Sequence, residues 1–178
     1  KELEYRGYDS AGMAVMSLEG GCDKCAQEIT FFKAIGKLEN LALKTKDFTS
    51  EGFGVAIGHT RWATHGKPTE INAHPHLGEH SFVVHNGIIE NYPELALELD
   101  RQGIFRRSET DTEIAAHHLA LEYAKDGNLL AAMCRLASRL QGSFTLVGMA
   151  GDSEVVAARR NSPLVVGLGE GENFLGSD

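Results

Sequence analysis

Only three of the 178 residues are cysteine, four are proline and one is tryptophan. Three thiols (Cys22, Cys25, Cys134) cannot all pair, so there is no disulfide framework, and so low a count favours a reducing compartment, the cytoplasm. Basic residues are also few: 17 Lys and Arg face 25 Asp and Glu, a net charge of −8. A general nucleic-acid or anionic-membrane surface therefore has no electrostatic support. No apolar run approaches the roughly 18 residues that would span a bilayer, because a charged residue or a His interrupts each one. No basic-then-apolar opening reads as a secretory signal. Dinucleotide and phosphate-loop glycine patterns, the Gly-x-Ser-x-Gly elbow and internal repeats are missing too.

What is present is an ordinary globular mixture, 42% hydrophobic and 24% charged. A chain this long buries roughly 70% of its unfolded surface, enough for one core, so residues 1–178 read as one domain. The opening Lys1-Glu2-Leu3-Glu4-Tyr5 has neither Met nor a cap or turn residue and reads as the interior of a longer chain.

Gly12–Ser17 and Ile29–Ala34 are short, apolar and rich in strand formers, a hairpin whose long tip holds Cys22 and Cys25. Leu38, Leu41 and Ala42 follow a helical period over 37–44. Strand character returns at Phe53–Thr60 and His80–His85, with a loop of roughly twenty residues between them that contains Pro68 and Pro75; loops of that length are usually functional or mobile. Pro93–Gln102 is a helix that Gly103 is placed to end. A second helix opens on the capping box Thr110-Asp111-Thr112-Glu113 and stops at Gly127, and a third runs from Leu129 to Leu140. Phe144–Met149, Val155–Arg159 and Leu164–Leu168 are strands again. Strands, then helices, then strands argue for a layered α+β domain.

Three segments carry candidate chemistry. In Gly58-His59-Thr60-Arg61-Trp62-Ala63-Thr64-His65-Gly66 the Arg61 fork, with Thr and His beside it, matches a carboxylate; alternatively, Arg61 is a surface residue with Trp62 packed under its stem. Asn86-Gly87 between apolar runs is a strong hairpin-turn signal, yet an Asn amide and a Gly N–H are also what an oxyanion hole requires. The two readings are compatible. Ser108–Glu113 is a helix N-terminus, in which Asp111 could also bind an ammonium group. Arg61 and Asp111 together would define an amino-acid site. Six of the eight histidines fall between His59 and His85, but no acidic partner completes a zinc spacing and Cys22-x-x-Cys25 lacks a second pair, so no metal or other cofactor is expected. His117-His118 would straddle the buried boundary of its helix. No nucleophile can be identified: Cys134 should pack inward from an amphipathic helix, and Cys22 and Cys25 sit in a hairpin tip.

Tyr5-Arg6-Gly7-Tyr8-Asp9-Ser10-Ala11-Gly12, Thr60-Arg61-Trp62-Ala63-Thr64-His65-Gly66, Asn72-Ala73-His74-Pro75-His76, His85-Asn86-Gly87, Ser108–Glu113 and Ser162-Pro163-Leu164 together resemble the glutamine amidotransferase domain, class II and N-terminal-nucleophile type, of the glucosamine-6-phosphate synthase family. The resemblance runs through essentially the whole chain in order. It implies a four-layer αββα sandwich of two antiparallel sheets between helices. It further implies that Arg61, Thr64 and His65 grip the α-carboxylate of L-glutamine, that Asp111 and the Gly87 carbonyl hold its α-amino group, and that Asn86 and the Gly87 N–H form the oxyanion hole. Arg6 would lie near the nucleophile, and Trp62 would sit on a mobile covering loop and gate the departing ammonia. In that family the nucleophile is an N-terminal Cys whose own amine serves as base, upstream of the position of Lys1. The chain would then be inactive alone, a domain truncated at its N-terminus. The ammonia acceptor, fructose 6-phosphate, would bind a separate C-terminal isomerase-type domain through which the full-length protein forms a homodimer. A different class of reading is a glutamine-sensing module on the same fold that has no catalytic Cys.

Overall fold

The computed structural model describes residues 7–18, 28–50, 53–63, 66–151 and 154–177. In chain order the elements are β1 (Ser10–Leu18), β2 (Glu28–Ile35), α1 (Leu38–Thr45), β3 (Phe53–Arg61), β4 (His76–Gly78), β5 (Ser81–Ile89), α2 (Tyr92–Arg101), α3 (Asp111–Tyr123), α4 (Leu129–Arg139), β6 (Gly142–Ala150), β7 (Glu154–Arg160), β8 (Val165–Leu168) and β9 (Asn173–Gly176). One antiparallel sheet has the order β2-β1-β3 and a second β4-β5-β6-β7, with β8-β9 as a separate hairpin.

Side chains on a strand alternate between faces, and this alternation builds the layers. On β3 it puts Val55 and Ile57 on the face that meets the other sheet, where they join Ala14 and Met16 of β1, Phe82 and Val84 of β5, and Met149 of β6. The opposite face of β5 presents Val83 and Ile89 to the helices, against Leu95, Leu99, Leu119, Met133 and Leu136. On the far side of the first sheet, α1 covers Ala11 and Ala34 with Leu41 and Leu38. The sequence of layers is α1, sheet, sheet, then α2 to α4: an αββα sandwich.

The helices form for local reasons. Asn128 caps α4 by accepting from the Ala131 N–H at 2.8 Å, and α2 takes Pro93 into its first turn, where no N–H is needed. Leu129, Ala132, Met133 and Leu136 make one buried stripe on α4, each large side chain contributing about 1.5–3 kcal/mol of burial. Cys134 is exposed, contrary to the inward packing expected of it, because one step of about 100° past Met133 carries it off that stripe. His118 sits within the boundary and is bonded to the Leu95 carbonyl at 3.0 Å, while His117 is only partly buried.

Several expectations need correction. Asn86-Gly87 is not a turn: both residues lie inside β5, opposite Thr145 and Phe144 of β6. The turn signal is genuine, but a partner strand distant in sequence is available, and Gly87 adopts φ +132° within the strand. A Cβ there would stand 2.1 Å from the Ser143 carbonyl oxygen, so only glycine fits. The strand expected from His80 begins at Ser81 and runs to Ile89, with His80 in the preceding turn. β4 and β9, of 3 and 4 residues, are two further strands that the sequence pattern does not signal. The cysteine-bearing tip, with Cys22 and Cys25, lies outside the described residues.

The long loop after β3 is not loose throughout. Asn72, Ala73, His74, Pro75 and His76 are all buried, and the His74 carbonyl oxygen comes so close to β1 that a Cβ on Gly12 would stand 2.1 Å from it. Replacing Gly12 with Ala should therefore destabilise the fold by about 1–3 kcal/mol, the usual cost of overpacking. Chemical denaturation of the variant measures this directly, and an unchanged midpoint would show that the loop does not press on β1.

Candidate active site

The same alternation that makes the inter-sheet core also makes the site. Continuing Val55 and Ile57 by twos along β3 reaches His59 and Arg61; continuing Phe82 and Val84 along β5 reaches Asn86. Apolar residues fill the middle of the gap between the sheets and polar ones its end. There, a pocket of about 280 Å³ is lined by His59, Arg61, Trp62, His74, His85, Asn86, Gly87, Ile88, Thr110, Asp111 and Thr112.

Arg61 is 4% exposed, not a surface residue. Its Nη1 and Nη2 donate to the carbonyls of Lys67 and Gly66, each at 3.3 Å. Burial lowers its pKa, against the opposing fields of Asp9, Asp111 and Glu109; a guanidinium stays protonated under such a shift. Trp62 beside it is on the surface instead. It is 59% exposed and meets the Tyr8 ring at 5.5 Å, while the next residue, Ala63, donates its N–H to Asp9 Oδ2 at 2.8 Å.

Asp111 opens α3 and is 6% exposed. Its Oδ2 accepts from the Ile89 N–H at 2.9 Å and its Oδ1 from the Thr112 hydroxyl at 3.3 Å. Thr110 caps the helix, accepting from the Glu113 N–H at 3.3 Å. The reciprocal half of the capping box is replaced: Glu113 accepts instead from the Arg107 N–H at 2.9 Å, and from the Ser108 N–H and hydroxyl at 2.6 Å each. Burial alone would raise the Glu113 pKa, but these bonds and His117 hold it at about 2. The segment entering α3 is thus fastened to the helix it begins.

A second clamp joins the loop to α3. Asn72 Nδ2 donates to the Lys67 carbonyl at 2.9 Å and to Glu109 Oε2 at 3.0 Å, and Asn72 Oδ1 accepts from the Glu109 N–H at 3.0 Å. One side chain thereby fixes the peptide that binds Arg61 relative to the helix that carries Asp111. Asn72 and Glu109 are far apart in sequence and no spacing rule pairs them.

The histidines pack on one another. His74 stacks on His59 at 4.2 Å and meets His76 edge-on at 5.0 Å, and His74 Nδ1 accepts from the His85 N–H at 3.3 Å. Among the described residues no group of three His, Cys, Asp or Glu side chains is arranged to hold a metal. Of the other expected site residues, Arg6, Thr64 and His65 lie outside the described residues. Arg61, Trp62, Asn86, Gly87 and Asp111 converge on the pocket.

A larger groove, about 760 Å³, opens beside β2, β4 and α3 between residues such as Phe31, Phe82 and Leu121. Its size does not make it the reactive site. Its Glu113 is bound to Arg107 and Ser108, its Lys44 is paired with Glu70, and it contains none of the oxyanion candidates.

The layered αββα fold is that of the N-terminal-nucleophile amidotransferases. The allosteric regulatory enzyme of purine biosynthesis has the same fold, with a TM-score of 0.78 at 25% identity, over 98% of this chain and 37% of that one. Glutamine phosphoribosylpyrophosphate amidotransferase from B. subtilis shares the fold, with a TM-score of 0.73 at 24% identity over 97% of this chain and 36% of that one. A family described as the glutamine amidotransferase domain matches residues 59–178, and the chain belongs to that family. It is 53% identical over 169 residues to the glutamine–fructose-6-phosphate aminotransferase (isomerizing) of Campylobacter jejuni, covering 94% of this chain and 27% of that protein. The Escherichia coli K12 protein of the same name is 48% identical over 182 residues, all of this chain and 28% of its own length. The chain thus spans little more than a quarter of these relatives.

Burial makes the site acid-sensitive. Burial, with Lys33 nearby, pushes His76 down to about 3; burial and the neighbouring His59, His76 and His85 push His74 down as well. The unfolded chain takes up a proton at each near pH 6.5, whereas the folded chain does not, so stability falls as pH drops below 6.5, by about 1.4 kcal/mol per pH unit for each histidine. Glu113 adds a loss between about 4.5 and 2. The denaturation midpoint should fall steadily from pH 7 to pH 5. In His76→Gln, which keeps a polar atom opposite Thr110, the slope should be shallower by about one proton; an equal slope would sink this account.

Proposed function

We infer that the pocket binds L-glutamine as the ammonia-donating half of an isomerizing glutamine–fructose-6-phosphate aminotransferase. The observation that carries this reading is the opposed pair Arg61 and Asp111, buried in one small pocket beside Asn86 and Gly87. An α-amino acid presents a carboxylate and an ammonium on one carbon, and Arg61 and Asp111 are the complementary groups. Thr64 and His65 add to the carboxylate grip and the Gly87 carbonyl to the ammonium. Asn86 and the Gly87 N–H face the tetrahedral oxyanion formed when the side-chain amide is attacked, and each such donor contributes about 2.7–4 kcal/mol at that stage.

The attacking group is an N-terminal Cys thiol of the complete protein, deprotonated by its own α-amine, with Arg6 beside it. Attack on the amide carbon forms a tetrahedral adduct; the α-ammonium gives its proton to the leaving nitrogen, ammonia departs and a thioester remains, which water hydrolyses to glutamate. The three cysteines here are not assigned that part, since the resemblance gives it to a Cys at the protein's N-terminus; of them, Cys134 lies on α4 and is not among the residues lining the pocket. This stretch alone should give no turnover. Trp62, exposed at the pocket mouth, covers the bound substrate and gates the ammonia on its way to fructose 6-phosphate in a C-terminal isomerase-type domain. The complete protein is a cytoplasmic homodimer joined mainly through that domain. None of the described helices is long and apolar enough to cross a membrane.

The test is labelling of the full-length natural protein with a glutamine-like diazo-ketone, read by intact mass and peptide mapping. A single adduct on a Cys upstream of Lys1, blocked by excess glutamine, is expected. Glutamine binding without an adduct would instead define a sensor. Asp111→Asn should weaken glutamine binding at least tenfold, since it removes a buried charged partner of the ammonium; an unchanged affinity would remove Asp111 from the site.

A further inference from the structure

His85 directly precedes Asn86 on β5 and forms part of the pocket wall, yet the substrate contacts described above give its ring no part. The residue is 3% exposed. Its Nδ1 lies 3.1 Å from Thr112 Oγ1, which in turn lies 3.3 Å from Asp111 Oδ1. A carboxylate can only accept, so the single hydroxyl proton of Thr112 points to Asp111. The Thr112 oxygen is then left to accept from His85, whose proton must sit on Nδ1.

The other end of the ring agrees. Nε2 is buried and has no hydrogen-bond partner among the described residues. A proton there would leave a buried N–H without an acceptor, and orphaned donors are rarer than orphaned acceptors in folded proteins. The tautomer with the proton on Nδ1 leaves only a lone pair unpaired.

We propose that His85 is a positioning residue for the ammonium-binding carboxylate: the chain from His85 Nδ1–H to the Thr112 hydroxyl to Asp111 Oδ1 sets the carboxylate plane, and with it the preference for ligands that carry an α-amino group. The proposal rests on the assignment of Asp111 to that group. Asp111 is held to β5 at both oxygens, directly by the Ile89 N–H on Oδ2 and through Thr112 by His85 on Oδ1. Without His85 the Thr112 hydroxyl is no longer fixed in its orientation, and the carboxylate is freer to turn about its Oδ2 bond and present the wrong lone pairs to the ligand. Because Asn86 follows His85 directly, β5 supplies both the relay and the oxyanion donor.

The test compares L-glutamate with glutarate, the same molecule without its α-amino group; neither is turned over. Dissociation constants are measured by calorimetry on full-length wild-type protein, His85→Leu and His85→Asn, and melting temperature serves as the fold control. An Asn amide N–H falls near the Nδ1 position and can restore the bond to Thr112; Leu cannot. His85→Leu should weaken glutamate about five- to tenfold, the scale of one lost neutral hydrogen bond, and leave glutarate within about twofold. His85→Asn should recover most of the preference. A His85→Leu protein that keeps the full preference for glutamate, or that loses both ligands equally while melting earlier, overturns the relay. A wild-type protein that binds neither ligand, or does not distinguish them, overturns the amino-acid reading of the pocket and the relay with it.

Discussion

Arg61 is a charge kept almost out of contact with water, and much of the surrounding structure answers to that one fact. A buried guanidinium is tolerable only when its donors are met and counter-charge is near. The two carbonyls that meet it, of Gly66 and Lys67, belong to a loop that must come back to the end of β3. Asn72 fastens that loop to Glu109 at the start of α3, and Asp9, Glu109 and Asp111 supply negative field. The helix, the loop and the two sheets therefore meet at one point for an electrostatic reason, and the pocket is what remains between them.

Polar and apolar tasks are divided along the same strands. β3 and β5 each spend the middle of one face on the inter-sheet core and the end of that face on the site, so no additional element is needed to present His59, Arg61 or Asn86. Rigidity follows from the shared origin: moving a site residue on either strand means shifting a register that Ile57 or Phe82 holds in the core. The histidine stack extends this arrangement, with His74 lying on His59 and meeting His76, its Nδ1 accepting from β5.

The layered α+β class, the three long helices and the Thr110 cap were legible from periodicity and capping residues, since those signals are local. The four-layer arrangement came from the family resemblance carried by the motifs, not from the spacing of apolar residues. What local reading missed is what depends on partners distant in the chain. Asn86-Gly87 has the chemistry of a tight turn, and only β6, beyond three helices, makes it a strand. Cys134 looked apolar enough to face inward, but the stripe of Leu129, Met133 and Leu136 decides orientation. Glu113 fits a capping box, yet Arg107 and Ser108 are nearer partners once the chain before α3 curls back. The Asn72–Glu109 clamp and the His85–Thr112–Asp111 chain leave no periodic trace, because each joins a loop or strand to a helix by geometry alone.

The pairing of β5 with β6 has a kinetic side. All of α2, α3 and α4 lie between the two strands in the chain, so β5 gains this neighbour only after a long loop has closed, whereas each helix is made of contacts within a few residues. Closure of that kind is the slow part of folding a sheet. Helical signal will therefore run ahead of a formed pocket as the chain folds. The pocket, bounded by β3, β5 and the start of α3, is thus complete only after the strand that carries Asn86 and Gly87 has found its neighbour.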